Sequence, residues 1–383
     1  MAINLVEVKR GIMLPDGLIY PNLQILILDA YRYGLTLSNA SDAFFEGMKG
    51  LKVLTLTHVH LSMKSLQFLT NLRTLHLKYC ILEGISSLGK LKSLEILSLE
   101  GSVFDELPDE LGELNQLRLL DLFECFTLKR IPPNVLRRLS HLEELYIGSR
   151  SYSSWAGEGM DAETSNVSLS ELNSLSRLTH LLLHIHDECL PKDFAFSSTL
   201  QSYEIKVNDF SEYPLWFGRT TIAKKKFSKS RILNIGSGKL TTFAAFKALY
   251  PTLEHFKSSK IEDCENIVPT IDPMGLIELK SLQLQFCRNL KCIVDASLRQ
   301  VPATAFSNLV ELSLYELREE LVLRRFGNSA PSFIVELEAV MKTAIEASKT
   351  SKEDGSAEYP TELNVSPQTN SKFSDVLPPY IEQ

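Results

Sequence analysis

The chain has 383 residues, enough for two or three globular domains or one long repeat array. Apolar residues at 44% and charged residues at 23% exclude a disordered, collagen-like or disulfide-framework protein. Forty Lys plus Arg against 47 Asp plus Glu leave a net charge of −7, which argues against a polyanion as the main partner. The first ten residues break their apolar run with Glu7, Lys9 and Arg10, so no signal-peptide core forms. There is also no uncharged apolar stretch of about 18 residues that could span a bilayer. Six cysteines, Cys80, Cys125, Cys189, Cys264, Cys287 and Cys292, are spread without a C-x-x-C pair, as expected in a reducing compartment. These features predict a cytoplasmic chain.

One spacing organises the sequence. Leucine fills one position in six, so L-x-x-L-x-L should arise by chance about twice, yet it occurs nine times. Eight occurrences are in phase, starting at Leu23, Leu51, Leu72, Leu94, Leu117, Leu178, Leu279 and Leu309; the ninth, at Leu114, is out of register. The first gaps are 28, 21, 22 and 23 residues, and Leu142-x-x-Leu145-x-Ile147 and Leu200-x-x-Tyr203-x-Ile205 add variants. This period is that of leucine-rich repeats. Leu72, Leu75, Leu77, Cys80 and Leu82 fill every position of the longer repeat pattern, with Cys125, Asn208 and Cys287 in the slot of Cys80. A small buried donor there can satisfy carbonyls left unpaired where the chain bends, so these cysteines are expected to be structural.

Between the strands, Ile85, Leu88, Leu91, then Leu107, Leu111, Leu114, then Ile131, Val135, Leu139 recur at steps of three and four, as on one face of a short helix or 3₁₀ segment. The predicted fold is therefore an α/β leucine-rich-repeat solenoid: a curved stack with a parallel strand ladder on its concave side and short helical returns on its convex side. Residues 1–22 are expected to cap the stack, 23–322 to form it, 323–349 to supply a C-terminal capping helix and 350–383 to be a disordered tail. An insertion loop is expected over 148–176, where one step lengthens to 36 residues.

Side chains alternate along a strand, so residues between the leucines should line the concave face in rows about 4.8 Å apart. One row reads Thr55, His76, Ser98, Asp121, Tyr146 and the next Thr57, Lys78, Glu100, Phe123. Exposed aromatics among mixed charges suit protein recognition. Thr55, His76, Lys78, Tyr79, Glu100, Asp121, Phe123 and Tyr146 are the candidate partner-binding residues.

Other motifs carry less. Gly84-Ile-Ser-Ser-Leu-Gly89-Lys90-Leu91 approaches a phosphate-binding loop but has leucine where a magnesium-binding hydroxyl is needed. His180, His184 and His186 share strand parity, but the first two would lie roughly 13 Å apart, too far to share a metal, so surface histidines are expected. The basic run Lys224 to Arg231 reads as a solvated loop, and the N-x-S sequons at Asn39, Asn166 and Asn364 are as frequent as chance. No catalytic signature, cofactor fingerprint or metal motif is present in the sequence, and no enzyme activity is expected.

Several blocks then point to a family. Pro15-Asp-Gly-Leu18 before Pro21-Asn-Leu-Gln-Ile-Leu-Ile-Leu-Asp29, together with Leu142-Glu-Glu-Leu-Tyr-Ile147, Ser153-Ser-Trp-Ala-Gly-Glu-Gly159, Asn166-Val-Ser-Leu-Ser-Glu-Leu172 and Leu190-Pro-Lys-Asp-Phe194, resemble the leucine-rich-repeat region of plant intracellular disease-resistance receptors of the coiled-coil, nucleotide-binding class. Cys264-Glu-Asn-Ile267 and Cys287-Arg-Asn-Leu290 resemble that group's C-terminal repeats. The resemblance runs from about Pro15 to Glu316 and lacks the family's coiled coil and nucleotide-binding module, as in a fragment, a truncated product or a sensor-only relative. It implies a role in sensing pathogen effectors or guarded host proteins and in holding a nucleotide-binding domain inactive. The alternatives are an extracellular repeat ectodomain, which should carry a signal peptide and cysteine caps, and a ubiquitin-ligase adaptor, which should carry an F-box-like segment.

Overall fold

The computed structural model describes residues 1–6, 17–29, 37–40, 43–148, 155–156, 166–209, 230–295, 297, 302, 304–315, 322–325 and 362–365. It divides into two compact units, Met1–Ser230 and Arg231–Gln383. Both are built by the leucine pattern.

In the first unit, parallel strands Ala2–Val6, Ile25–Asp29, Val53–Thr57, Thr74–Lys78, Ile96–Ser98, Leu119–Asp121, Glu144–Ile147, His180–Ile185 and Ser202–Val207 succeed one another as ladder neighbours. The register aligns equivalent leucines. Leu26, Leu54, Leu75, Leu97, Leu120, Leu145 and Leu181, then Tyr203, form one continuous buried row. A slip of one residue would turn the whole row into solvent, so the pattern fixes the pairing.

Five coils of the first unit return through a short helical segment: 3₁₀ turns at Met63–Phe68, Ile85–Lys90, Asp109–Glu113 and Leu169–Ser174, and one α-turn at Val135–Arg138. The segments close identically. The N–H groups of Leu69, Leu91, Leu114, Leu139 and Leu175 donate to the carbonyls of Leu66, Leu88, Leu111, Leu136 and Leu172, and the next strand's first leucine then donates to the closing one, as Leu72 does to Leu69 at 3.0 Å. Leu114 is such a closing residue, which explains its out-of-register match. The loop-like glycine motif dissolves in the same way: Gly84 caps Ile85–Lys90 at φ 66, and Leu88 and Leu91 are core.

The cysteines serve the bends. The Cys80 thiol donates to the carbonyls of Leu56 and Lys78 at 3.5 and 3.4 Å, and that of Cys125 to Leu99 at 3.1 Å. All six are buried and none is in a disulfide, and burial pushes the Cys80 and Cys264 thiols up to about 12.

Where the insertion was expected, Gly148, Trp155, Ala156 and the residues from Asn166 onward are described, and the remainder of 148–176 lies outside the described residues. The return strand of chain is pinned: Asn166 Oδ1 accepts from the Ile131 N–H at 2.7 Å and its Nδ2 donates to the Lys129 carbonyl at 3.0 Å. Glu171 is buried as a bridge between coils, its carboxylate accepting the N–H groups of Asn134 at 2.7 Å and Arg137 at 3.2 Å, two donors that the short turn Val135–Arg138 cannot satisfy itself.

The second unit pairs parallel strands Arg231–Ile235, His255–Ser258, Ser281–Gln285 and Glu311–Tyr315, stacking Leu233, Phe256, Leu282 and Leu312. A second sheet joins Asn266–Val268, Cys292–Asp295 and Val322–Arg325. Two expectations need correcting here. Val322–Arg325 is a ladder strand, so the repeat array runs past residue 322; the rest of the capping helix expected over 323–349 lies outside the described residues. Within the stretch 350–383, read as disordered, Glu362–Val365 is a strand antiparallel to Glu311–Tyr315. Composition misses this because the attraction comes from the partner: the outer edge of Glu311–Tyr315 offers a row of backbone donors and acceptors that any extended segment can pair with.

The buried leucine row gives a direct test. Leu97→Ala should cost about 3 kcal/mol of stability in urea unfolding. Thr55→Ala, one position off the row on the opposite face, should cost less than about 0.5 kcal/mol.

Candidate functional site

The rows anticipated on the ladder's outer face exist in the register: Thr55, His76, Ser98, Asp121 and Tyr146 are successive cross-strand partners, and Thr57 pairs with Lys78. Their exposure divides the face into two zones. Thr55, Thr57, His76 and Lys78 are half-buried. Lys78 Nζ lies 3.2 Å from Glu100 Oε2, a pair whose carboxylate side is buried.

Further along the ladder the face closes, and this corrects the expected anchors. Phe123, Tyr146, Asp121 and Glu100 are buried, at 1%, 4%, 5% and 6% exposure. Asp121 turns its charge inward, accepting Ser98 Oγ at 2.8 Å and the Phe123 N–H at 3.0 Å. Phe123, Tyr146 and Leu182 pack into a small apolar cluster separate from the leucine row. Gly148 completes it: a Cβ there would meet Leu182 Cδ2 at 2.5 Å and Phe123 Cδ2 at 2.9 Å. The Tyr146 hydroxyl donates to Glu144 Oε2 at 2.5 Å, so its polar end is held. Aromatics expected to anchor a partner anchor their own neighbours, because adjacent coils bring them within contact distance before any partner arrives.

Tyr79 is a different case. It follows its strand at φ 52, in the left-handed region, and so leaves the face. His58 and Glu124 sit at the equivalent position of their coils, both at φ 58, and Gly101 does so at φ 66. The Tyr79 ring stacks on the His58 imidazole, centroids 5.3 Å apart and planes 13° from parallel, and its hydroxyl donates to Glu124 Oε2 at 3.2 Å. Between these lies Gly101, where a Cβ would stand 2.2 Å from Tyr79 Cδ1. A polar rim thus borders the open zone.

Leu182, His184, Glu204 and Lys206 belong to the same face, to which the sequence reading did not extend the rows. Register places Leu182 beside Tyr146 and Glu204, and His184 beside Lys206. His184 is buried, not the surface histidine expected, and stands edge-on to Phe123 at 6.3 Å. Carrying the rows across the lengthened step after Leu145 was the signal that could have found them. Among the described residues no group of three potential metal ligands is gathered, so the three histidines form no such site there. Of the basic run, only Ser230 and Arg231 are among the described residues. No helix among the described residues is long and apolar enough to cross a membrane.

Two consequences can be measured. Gly101→Ala should destabilise by about 2 kcal/mol, since it combines a strained φ with a clash; in a Tyr79→Ala background the clash vanishes and roughly half should return. Burial, reinforced by the Lys206 charge, pushes the His184 imidazole from 6.5 down to about 3. The folded state therefore refuses a proton that the unfolded chain accepts, and this contribution to stability is whole above pH 6.5 and lost as the pH falls toward about 3. Unfolding free energies measured across that window should fall less steeply in His184→Leu than in the native chain.

No family model matches the chain. In sequence it is similar to a disease resistance protein of Arabidopsis thaliana, 28% identical over 253 residues that cover 63% of this chain and 24% of that protein. It is also similar to TMV resistance protein N of Nicotiana glutinosa, 31% identical over 130 residues covering 34% of this chain and 11% of that protein. The chain thus spans about a quarter or less of the length of these relatives. Among solved structures, a leucine-rich-repeat protein of Leptospira interrogans aligns over 83% of this chain and 82% of its own at 17% identity and a TM-score of 0.43. The leucine-rich-repeat ectodomain of a plant membrane receptor kinase from Arabidopsis thaliana aligns over 85% of this chain and 47% of its own at 18% identity and 0.39. By its repeating strand, bend and helical return, and by its stacked leucines, the fold is a leucine-rich-repeat solenoid.

Proposed function

We propose that the chain is the non-enzymatic recognition module of a plant immune receptor of the coiled-coil, nucleotide-binding class, working in the cytoplasm. It binds a protein partner: a pathogen effector, a guarded host protein or the receptor's own nucleotide-binding domain. The similarity to an Arabidopsis thaliana disease resistance protein over 253 residues is the observation that carries this reading. Two features of the molecule support it. The open zone of the ladder face offers Thr55, Thr57, His76 and Lys78 as a mixed polar surface on a rigid sheet, suited to discrimination by charge and shape. The six cysteines are buried and none is in a disulfide, which suits a reducing compartment.

Within this reading, contact falls on Thr55, His76, Lys78 and the rim residue Tyr79. Glu100, Asp121, Phe123 and Tyr146 hold the face in shape instead. Charge reversal at Lys78 should then weaken partner recovery about tenfold in co-purification from plant tissue. Phe123→Leu should leave the recovered partners unchanged while lowering the melting temperature. Identical partners with native chain and with a His76→Glu, Lys78→Glu double variant would overturn the assignment of this face.

A further inference from the structure

The second unit carries a small cavity of about 390 Å³, lined by Lys260, Ile261, Glu262, Phe286, Arg288 and Asn289. Phe286 stands at the bend position that several coils hold at positive φ, here 53, and the residue is 39% exposed. In the first unit the equivalent position is held by His58, Tyr79, Gly101 and Glu124, which are polar-tipped or have no side chain. Tyr315 fixes the Phe286 ring edge-on, with centroids 5.4 Å apart and planes at 82°. An exposed aromatic fixed beside a cavity offers an apolar wall to a ligand.

The charges are as informative. Lys260 Nζ pairs with Glu262 Oε1 at 2.9 Å, which leaves Arg288 as the lining's uncompensated charge. Among the described residues its guanidinium has no hydrogen-bond or ion-pair partner, and the lining carries one net positive charge. The preceding coil shows what the same motif does when it is purely structural. In Cys264-Glu-Asn-Ile267, Glu265 pairs with Lys291, and buried Asn266 accepts the Thr270 N–H at 3.1 Å and its hydroxyl at 2.8 Å. In Cys287-Arg-Asn-Leu290, both polar side chains are exposed at the cavity instead.

We propose that this cavity binds the C-terminal residue of a peptide or protein whose last side chain is apolar. Arg288 takes the terminal carboxylate in a two-pronged, charge-assisted bond. Phe286 takes the side chain, and Glu262 and Asn289 face the peptide's last N–H. One carboxylate matches one net positive charge; a phosphate group, doubly charged and without an apolar part, would leave Phe286 wet. The volume suits one or two residues, at the small end of ligand sites. The proposal is independent of the ladder-face reading above.

The test is fluorescence anisotropy with dye-labelled Gly-Ser-Gly-Ser-Leu on the full chain, comparing the free acid with its C-terminal amide. The free acid should saturate, and the amide should bind about tenfold or more weakly, the loss expected of a charge-assisted bond. Arg288→Gln and Phe286→Ser should each cost a similar factor, Arg288→Lys less, and Lys247→Gln and Lys78→Glu nothing, with circular dichroism melting curves checking that each variant folds. Equal binding of acid and amide, no binding of the acid, or unchanged binding by folded Arg288→Gln would each overturn it. Failure here leaves the ladder-face reading standing, and loss of partner recovery in Lys78→Glu leaves this titration unmoved.

Discussion

Everything in this molecule depends on leucines meeting across coils. A single turn of strand, bend and helical return cannot enclose its own apolar side chains; Leu75 is buried because Leu54 and Leu97 lie on either side of it in register. Burial of a leucine is worth about 2 kcal/mol, so the row as a whole outweighs any surface ion pair by an order of magnitude. Backbone pairing follows from this packing, because only one register keeps all the leucines on the inner side.

That constraint leaves the outer side of the ladder free to vary, but not free of physics. Adjacent strands hold neighbouring side chains close enough to touch, so what a row presents depends on which residues meet. Where small and polar residues adjoin, as at Thr55 and His76, the face stays open. Where Tyr146 meets Leu182 and Phe123 lies against Gly148, the aromatics close on one another and draw Asp121 and His184 out of solvent. The same side-chain types that could grip a partner have become a local core, and recognition is confined to the more polar stretch.

The bends at the strand ends form a second repeated environment. In several coils one residue is held at positive φ there, and its side chain points out along the rim: His58, Tyr79 and Glu124 interlock over Gly101, while Phe286 lines a cavity. Just beyond, buried cysteine thiols donate to carbonyls, a role that needs a small weak donor and no redox chemistry.

The sequence by itself determined the coil. The period of about 22 residues, the strand positions, the helical returns and the structural role of the cysteines could all be read, because each follows from hydrophobic spacing along the chain. It also placed Thr55, His76, Asp121 and Tyr146 in one row, since strand parity is a local property. Only tertiary structure decided which members of that row meet solvent. Burial of Phe123 and Tyr146 is set by Leu182, in a coil displaced by a lengthened step, and Tyr79 leaves the face because the bend fixes its φ. The strand at Glu362–Val365 belongs to the same class: its pairing is an offer made by a distant edge, and no pattern in the tail itself could announce it.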